Sequence, residues 1–218
     1  MKTSRWWVIF GWMLLGTASA APGDPILVTA VNAGVIVAGE GGAKAPLEPF
    51  VRLREGDRLT LPAAGSVSLV FVSQGRQENW RGAGAIVVGD GESRAVAGKP
   101  ELKVRAVPPE VARQMNRMPI ASADGKVGMM RTRSIPPHDA VTRLEKEYQS
   151  MRSQASDGDI LPEVYLLAGL FDLRQYDRVE AELQRIAGAY PNDANVPVLR
   201  QLYAKALAEA RAPRTGGQ

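Results

Sequence analysis

The chain of 218 residues has no cysteine and a single histidine, and these two shortages exclude much of the chemistry that a protein can carry. Without cysteine there is no disulfide, no thiolate nucleophile and no thiolate ligand for a metal. The one histidine, His138, lies between Pro137 and Asp139. A single imidazole cannot build a histidine-rich zinc site or a nucleophile–base pair without partners. We therefore predict no catalytic residue, no metal site and no cofactor, and we interpret His138 as a solvated loop residue.

Dense basic runs and phosphate-binding loops are missing as well. The 27 lysine and arginine residues are spread along the chain among 23 acidic residues. A nucleic-acid-binding protein concentrates its cations on one face, so we predict no nucleic-acid partner. The glycine-rich segments 82–85 and 89–91 do not open a helix, which a phosphate cradle requires.

The first twenty residues have the pattern of an export signal. Lys2 and Arg5 precede the apolar run 6–15, and small residues end the segment at Ala20. The run is shorter than the roughly 20 residues that span a bilayer. We predict cleavage between Ala20 and Ala21 and a periplasmic protein with no stable membrane insertion. A bacterial lipid anchor is excluded because no cysteine follows the signal.

Residues 21–106 are typical of a small β domain. Short apolar runs alternate with glycine turns, which predicts a β-sandwich or barrel. In the segment 66–72, Val67, Leu69 and Phe71 share one face of a strand. Val70 and Val72 lie on the opposite face, so we expect that face to be partly covered too.

Residues 107–137 lose this periodicity and are predicted to be a linker. Prolines bracket the segment, and a short helix is predicted from Pro109 to Met118 because proline fits a first helical turn. Every methionine after residue 20 lies between residues 115 and 151: Met115, Met118, Met129, Met130 and Met151. Thioethers can hold copper(I), but methionines far more often make pliable apolar contacts, which is the interpretation we favour.

Residues 138–211 are predicted to form a helical domain, and 212–218 a disordered tail. Val141, Leu144, Tyr148 and Met151 recur at helical spacing. Further helices are predicted at about 162–173, at 177–190 and around 198–207. The fold class is therefore α+β, with an all-β domain followed by a helical one.

Two of these helices resemble a tetratricopeptide repeat. The segment 175–183 resembles the turn and second helix of that family, and 191–193 its closing proline. The first helix fits only if one turn residue is missing, and Val179 replaces the usual alanine. The resemblance implies that Tyr165 and Asp172 face a concave, peptide-binding surface. A generic helical hairpin with a solvated face is the alternative.

The β segment resembles the ferric-citrate-regulator-like domain of bacterial periplasmic proteins. The resemblance rests on residues 34–37, 53–59 and 67–71 and on the pair Gly75 and Arg76. The chain departs from that family at 73–75, where an Asp-Gly turn is usual. The resemblance implies a sensory or scaffolding module of the cell envelope.

These observations predict a non-enzymatic envelope protein that acts as a binding or scaffolding adaptor for a protein or peptide partner. The alternative is a module that binds peptidoglycan or another glycan through the β domain, with Trp80 as the residue that stacks on a sugar ring. Trp80 is the only tryptophan after residue 20, and an amphipathic core position is its commoner role. A hydrolase would need a carboxylate pair that only folding brings together.

Overall fold

A computed structural model describes residues 26–39, 42–121, 127–128 and 139–212. They form two antiparallel five-stranded sheets, a two-stranded pairing and five helices, which confirms the α+β class. The predicted signal peptide with Ala20 and Ala21 lies outside the described residues, as do His138, Met129 and Met130.

The two large sheets are built from ten short strands. Sheet A has the order β10-β7-β6-β1-β4, and sheet B has the order β3-β2-β5-β8-β9. The strands are β1 (Ile26–Asn32), β2 (Ile36–Ala38), β3 (Lys44–Pro46), β4 (Arg52–Leu53), β5 (Arg58–Leu61), β6 (Ser66–Phe71), β7 (Arg76–Arg81), β8 (Gly84–Val88), β9 (Ser93–Gly98) and β10 (Glu101–Ala106). β11 (Ile120–Ala121) pairs with β12 (Val127–Gly128).

The two sheets share one apolar core. Sheet A contributes Val28, Leu69 and Phe71, and sheet B contributes Leu59 and Ile86. Among the described residues no strand pairing joins the sheets, so they stack face to face without closing into a barrel.

A bulge in β1 aligns its side chains with this core. The pairing with β6 shifts between Val28 and Ala30, so Thr29 is the extra residue. Because side chains alternate along a strand, Val28 and Val31 would otherwise lie on opposite faces. The bulge lets both of them join the core between the sheets.

Five helices form a layer on the other face of sheet A. They are α1 (Pro109–Met115), α2 (Ala140–Gln154), α3 (Leu161–Asp172), α4 (Tyr176–Ala189) and α5 (Asn195–Arg211). The second core cluster joins helical side chains to Leu27, Phe50 and Val70 from the β segment. Val72 packs against the same cluster, so the expectation that the second face of β6 is covered is confirmed.

The helix α3 lies at the centre of the helical layer. All of its residues except Asp172 are buried, and α1, α2 and α4 pack around it. A helix that is apolar on all sides needs such complete cover. None of the described helices is both long enough and apolar enough to span a membrane.

The short helix predicted within the 107–137 segment is confirmed as α1. Its residues Val111, Ala112 and Met115 are buried in the helical core, and Met118 joins them just beyond the helix. Met151 of α2 lies in the same cluster. The three methionines that the structure describes in full are therefore apolar core contacts.

Candidate binding groove

A groove of about 720 Å³ runs between α1 and α2, with α3 as its floor. We call it the α1–α2 groove. Its α1 wall consists of Glu110, Gln114 and Arg117, and its floor includes Tyr165, Gly169 and Asp172; the α2 wall consists of Ala140, Arg143, Leu144, Lys146, Glu147 and Ser150. Both residues that the tetratricopeptide resemblance singled out, Tyr165 and Asp172, thus line one cavity.

The α1 wall follows from the way in which this short helix is fixed. Pro108 and Pro109 start the helix, and Val111 and Met115 anchor its inner side in the core. Residues four positions apart share a helix face, so Glu110 and Gln114 line up on the side towards the groove, and Arg117 follows just beyond the end of α1. The core contacts of α1 therefore preform one wall of the cavity.

The opposite wall depends on a close approach of α2 to α3. A methyl group added at Gly169 would overlap the side chain of Leu144, which reaches over the glycine from α2. Glycine in a helix interior is unfavourable relative to alanine by roughly 1 kcal/mol, so its position here is explained by packing. The short distance between the two helices sets the width of the groove at its base.

Tyr165 lies on the floor and is only 6% exposed. Burial raises the pKa of its phenol to about 12, and the negative charges of Glu147 and Glu110 act in the same direction. The ring is therefore neutral at physiological pH. It gives the groove an apolar surface with one hydroxyl group.

Asp172, the second residue of the groove floor, forms an ion pair with Arg117. Nη1 of Arg117 donates a hydrogen bond to Oδ2 of Asp172 at 3.0 Å, and both side chains are partly exposed. This pair links the end of α3 to the residues that follow α1. It also places one charge of each sign at the same end of the groove.

Gln114 lines the groove, and its side-chain amide has an unused hydrogen-bond donor. Its Nε2 atom is buried and has no hydrogen-bond partner among the residues that the structure describes. A buried amide nitrogen without an acceptor is unfavourable by about 1–3 kcal/mol, so such groups are rare in folded proteins. Because that atom is closed off from solvent, a peptide carbonyl in the groove could accept its hydrogen bond only after the amide turns towards the cavity.

Trp80 lies away from this groove, inside the core between the sheets. It is 4% exposed, and its Nε1 donates hydrogen bonds to Oγ of Ser93 at 2.7 Å and to Oε2 of Glu78 at 3.2 Å. A sugar ring stacks on an open aromatic face, and this indole presents none. Trp80 therefore occupies an amphipathic core position, which is the commoner role of a tryptophan.

The carboxylate of Glu163 on α3 is buried but takes part in structural contacts. Arg152 donates to it at 3.1 Å, and the hydroxyl groups of Tyr148 and Tyr190 donate at 3.3 and 3.2 Å. The Nη2 atom of Arg185 lies 3.6 Å from the same group. These contacts tie α2 and α4 to α3, and they leave the carboxylate surrounded by donors.

A second, smaller cavity of about 290 Å³ lies where sheet A extends beyond the helices. We call its floor the polar shelf: Asn32, Ser66, Ser68, Asn79, Arg81, Glu101 and Lys103. The loops 156–161 and 193–195 form the opposite wall. The helix-facing side of sheet A is thus apolar beneath the helices and polar outside them.

Comparison with protein-family models, with curated proteins and with solved structures found no match. The resemblances to the two families therefore stay predictions from the sequence. Within the described part of the chain, no three histidine, cysteine, aspartate or glutamate side chains are grouped so that they could hold a metal ion.

Two residues of the groove floor could be predicted from the sequence, but the residues of its walls could not. Tyr165 and Asp172 were implied by the resemblance of this part of the chain to a tetratricopeptide repeat. Gln114 and Arg117 were not, because nothing in a local pattern shows that α1 packs across α3. The apolar spacing of Val111, Ala112 and Met115 is the one signal that indicates a buried helix there.

Proposed function

We propose that the protein is a non-enzymatic adaptor of the cell envelope that binds a protein partner by a peptide segment in the α1–α2 groove. The observation that carries the proposal is the groove itself, which is floored by the neutral ring of Tyr165 and lined by Gln114, whose Nε2 atom has no acceptor among the described residues. Peptides offer both a carbonyl acceptor in every residue and apolar side chains. The export signal predicted at residues 1–20 supports a location in the cell envelope.

The charges of the groove suggest what the peptide carries. Arg117, Arg143 and Lys146 face the cavity together with Glu110, Glu147 and Asp172. Such a mixed lining disfavours a partner with a long run of one charge, because each like-charge contact opposes binding. A segment with apolar residues and both signs of charge fits it best.

The test uses light-activated crosslinking in living cells from two adjacent positions of α2. Ser150 lines the groove, whereas Gln149 is also exposed but does not line it. A photoreactive amino acid at position 150 is expected to capture a specific envelope protein, and the same group at position 149 is expected to capture much less. Equal capture at the two positions, or no capture at position 150, would contradict the proposal.

A charge variant of the groove adds a second measurement. Lys146→Glu changes a groove charge, and Thr142→Glu adds a negative charge to an exposed position of the same helix outside the groove. We expect the partner captured from position 150 to be reduced about tenfold by the first change and unaffected by the second. The same reduction in both variants would mean that the effect is not local to the groove.

A further inference from the structure

The outer edge of sheet A is a second place where the protein can bind another chain. Within the described residues, β10 pairs with β7 alone and forms the end of the sheet. Its six residues pair with β7 without a register shift. A regular edge strand of this length leaves a row of backbone N–H and C=O groups free for another strand.

The side chains of β10 sort into two faces. Val104 is 49% exposed and shares a face with Leu102, which packs against the core between the sheets. Glu101 and Lys103, which belong to the polar shelf, lie on the other face together with Arg105. Val104 and Val96 are the two large apolar residues that the structure leaves exposed in its described part.

The neighbouring edge strand does not offer the same surface. In β9, the pairing with β8 shifts so that Val96 is an extra residue of a bulge. Bulges disrupt the ladder and twist an edge away from new partners. The regular strand β10 is therefore the better template.

The charges along β10 indicate which kind of chain can pair with its free edge. In an antiparallel pairing of two copies that places Leu102 opposite Val104, Glu101 would lie opposite Arg105, but Lys103, at the centre of the pairing, would lie directly opposite itself. Like charges directly opposite each other destabilise a sheet. The side chain of Lys103 is 76% exposed, and its contact with Glu101 is a loose 3.6 Å. It is thus free to pair with an acidic residue of a different chain.

We infer that β10 accepts an extended segment of a partner protein with an apolar–acidic–apolar sequence, which adds to sheet A as an antiparallel strand. The acidic residue lies opposite Lys103, and the two apolar residues lie opposite Leu102 and Val104. Backbone hydrogen bonds supply affinity in this mode of recognition, and alternate side chains supply specificity. This site is independent of the α1–α2 groove.

The experiment measures binding of fluorescein-labelled peptides to the chain 21–218 by fluorescence anisotropy. One peptide has the core Thr-Val-Glu-Val-Thr and the other Thr-Val-Lys-Val-Thr. The acidic peptide is expected to bind at least about tenfold more tightly, and Lys103→Glu is expected to reverse this preference. Arg94→Glu, which changes an exposed cation on β9, is expected to leave it unchanged.

Two further peptides separate strand addition from simple charge attraction. Each is the acidic peptide N-methylated at alternate residues, along one edge in the first and along the other edge in the second. Only one edge can face β10, so one methylated peptide is expected to bind and the other is not. Binding of both, binding of neither, no preference between the acidic and basic peptides, or an effect of Arg94→Glu equal to that of Lys103→Glu would overturn the inference.

Discussion

The core between the sheets and the helical core each bury one glutamate, and the two glutamates are held in different ways. Glu78 in the sheets bonds to the indole of Trp80, to the backbone and hydroxyl groups of Ser93, and to Arg76. Glu163 in the helices meets two arginines and two tyrosines. The first carboxylate is satisfied largely by neutral donors, whereas the second balances two cations.

The two sets of contacts join different parts of the fold. The Glu78 contacts link one strand of sheet A to one strand of sheet B. The Glu163 contacts join three helices, including α3, which forms the floor of the groove. We therefore expect the helical region to depend more strongly on its buried charge than the sheets do.

The largest expected effect comes from removing these charges one at a time. Glu163→Gln leaves Arg152 without a carboxylate partner, whereas Arg185 keeps its ion pair with Glu182. The loss of one member of a buried ion pair lowers the free energy of unfolding by about 3–5 kcal/mol, and we expect the lower end of this range because the side chain of Arg152 is 23% exposed. Glu78→Gln keeps hydrogen bonds to neutral donors, and Arg76 can turn to Glu92, 3.6 Å away, so about 1–3 kcal/mol is expected. Urea unfolding of both variants measures the two values. Equal decreases in the free energy of unfolding would contradict the expectation that the helical region depends more strongly on its buried charge.

A hydrogen bond between Asn195 and Val31 joins α5 to sheet A. Oδ1 of the buried Asn195 accepts the backbone N–H of Val31 at 2.8 Å. Asn195→Ala leaves that buried N–H unpaired and is expected to lower the free energy of unfolding by about 1–3 kcal/mol. Asn32→Ala, which removes an exposed asparagine from the same strand, is the control and is expected to change it by less than about 0.5 kcal/mol. A similar decrease in the free energy of unfolding of both variants would show that Asn195 does not stabilise the packing of α5 on sheet A.

A pH-dependent effect is expected on the helical side. The ordinary pKa of tyrosine is about 10, and burial, followed by Glu147 and Glu110, raises that of Tyr165 to about 12. The folded state favours the neutral phenol. The stabilisation that follows from this preference is complete below pH 10 and is lost as the pH rises towards 12. Urea midpoints measured between pH 8 and pH 11.5 should fall less steeply for Tyr165→Phe than for the wild type. Parallel curves would contradict the placement of Tyr165.

The smallest effect is expected for Tyr203, which lies in the helical core against Phe171. Its hydroxyl group is buried without a hydrogen-bond partner among the described residues. Tyr203→Phe removes a group whose burial is unfavourable, so the free energy of unfolding should stay the same or rise by up to about 1 kcal/mol. Thermal unfolding measures it. A clear loss of stability would mean that the hydroxyl group has a partner.

The elements of this fold could be predicted from local patterns, but their contacts could not. The apolar stripe of Val141, Leu144, Tyr148 and Met151 predicted α2, and the valines on both faces of the 66–72 segment predicted a strand covered on both sides. Local patterns also indicated a helix from Pro109.

The rest depends on residues far apart in the chain. The burial of Trp80 rests on Ser93, which belongs to the other sheet. The groove joins Gln114 of α1 to Tyr165 of α3, some fifty residues later. The bulge at Thr29 becomes visible only when β1 is paired with β6. Each of these features needs a tertiary contact that no window of the sequence contains.

The groove exists only if α1 is a fixed part of the helical core, and hydrogen exchange tests this most directly. The amides of Ala112, Asn116 and Met118 donate to backbone carbonyls at 3.0–3.1 Å, and the inner side of α1 is buried. We predict that peptides covering 109–118 exchange slowly, within about tenfold of those covering α3. Exchange of 109–118 at the rate of an unstructured chain would contradict the preformed groove.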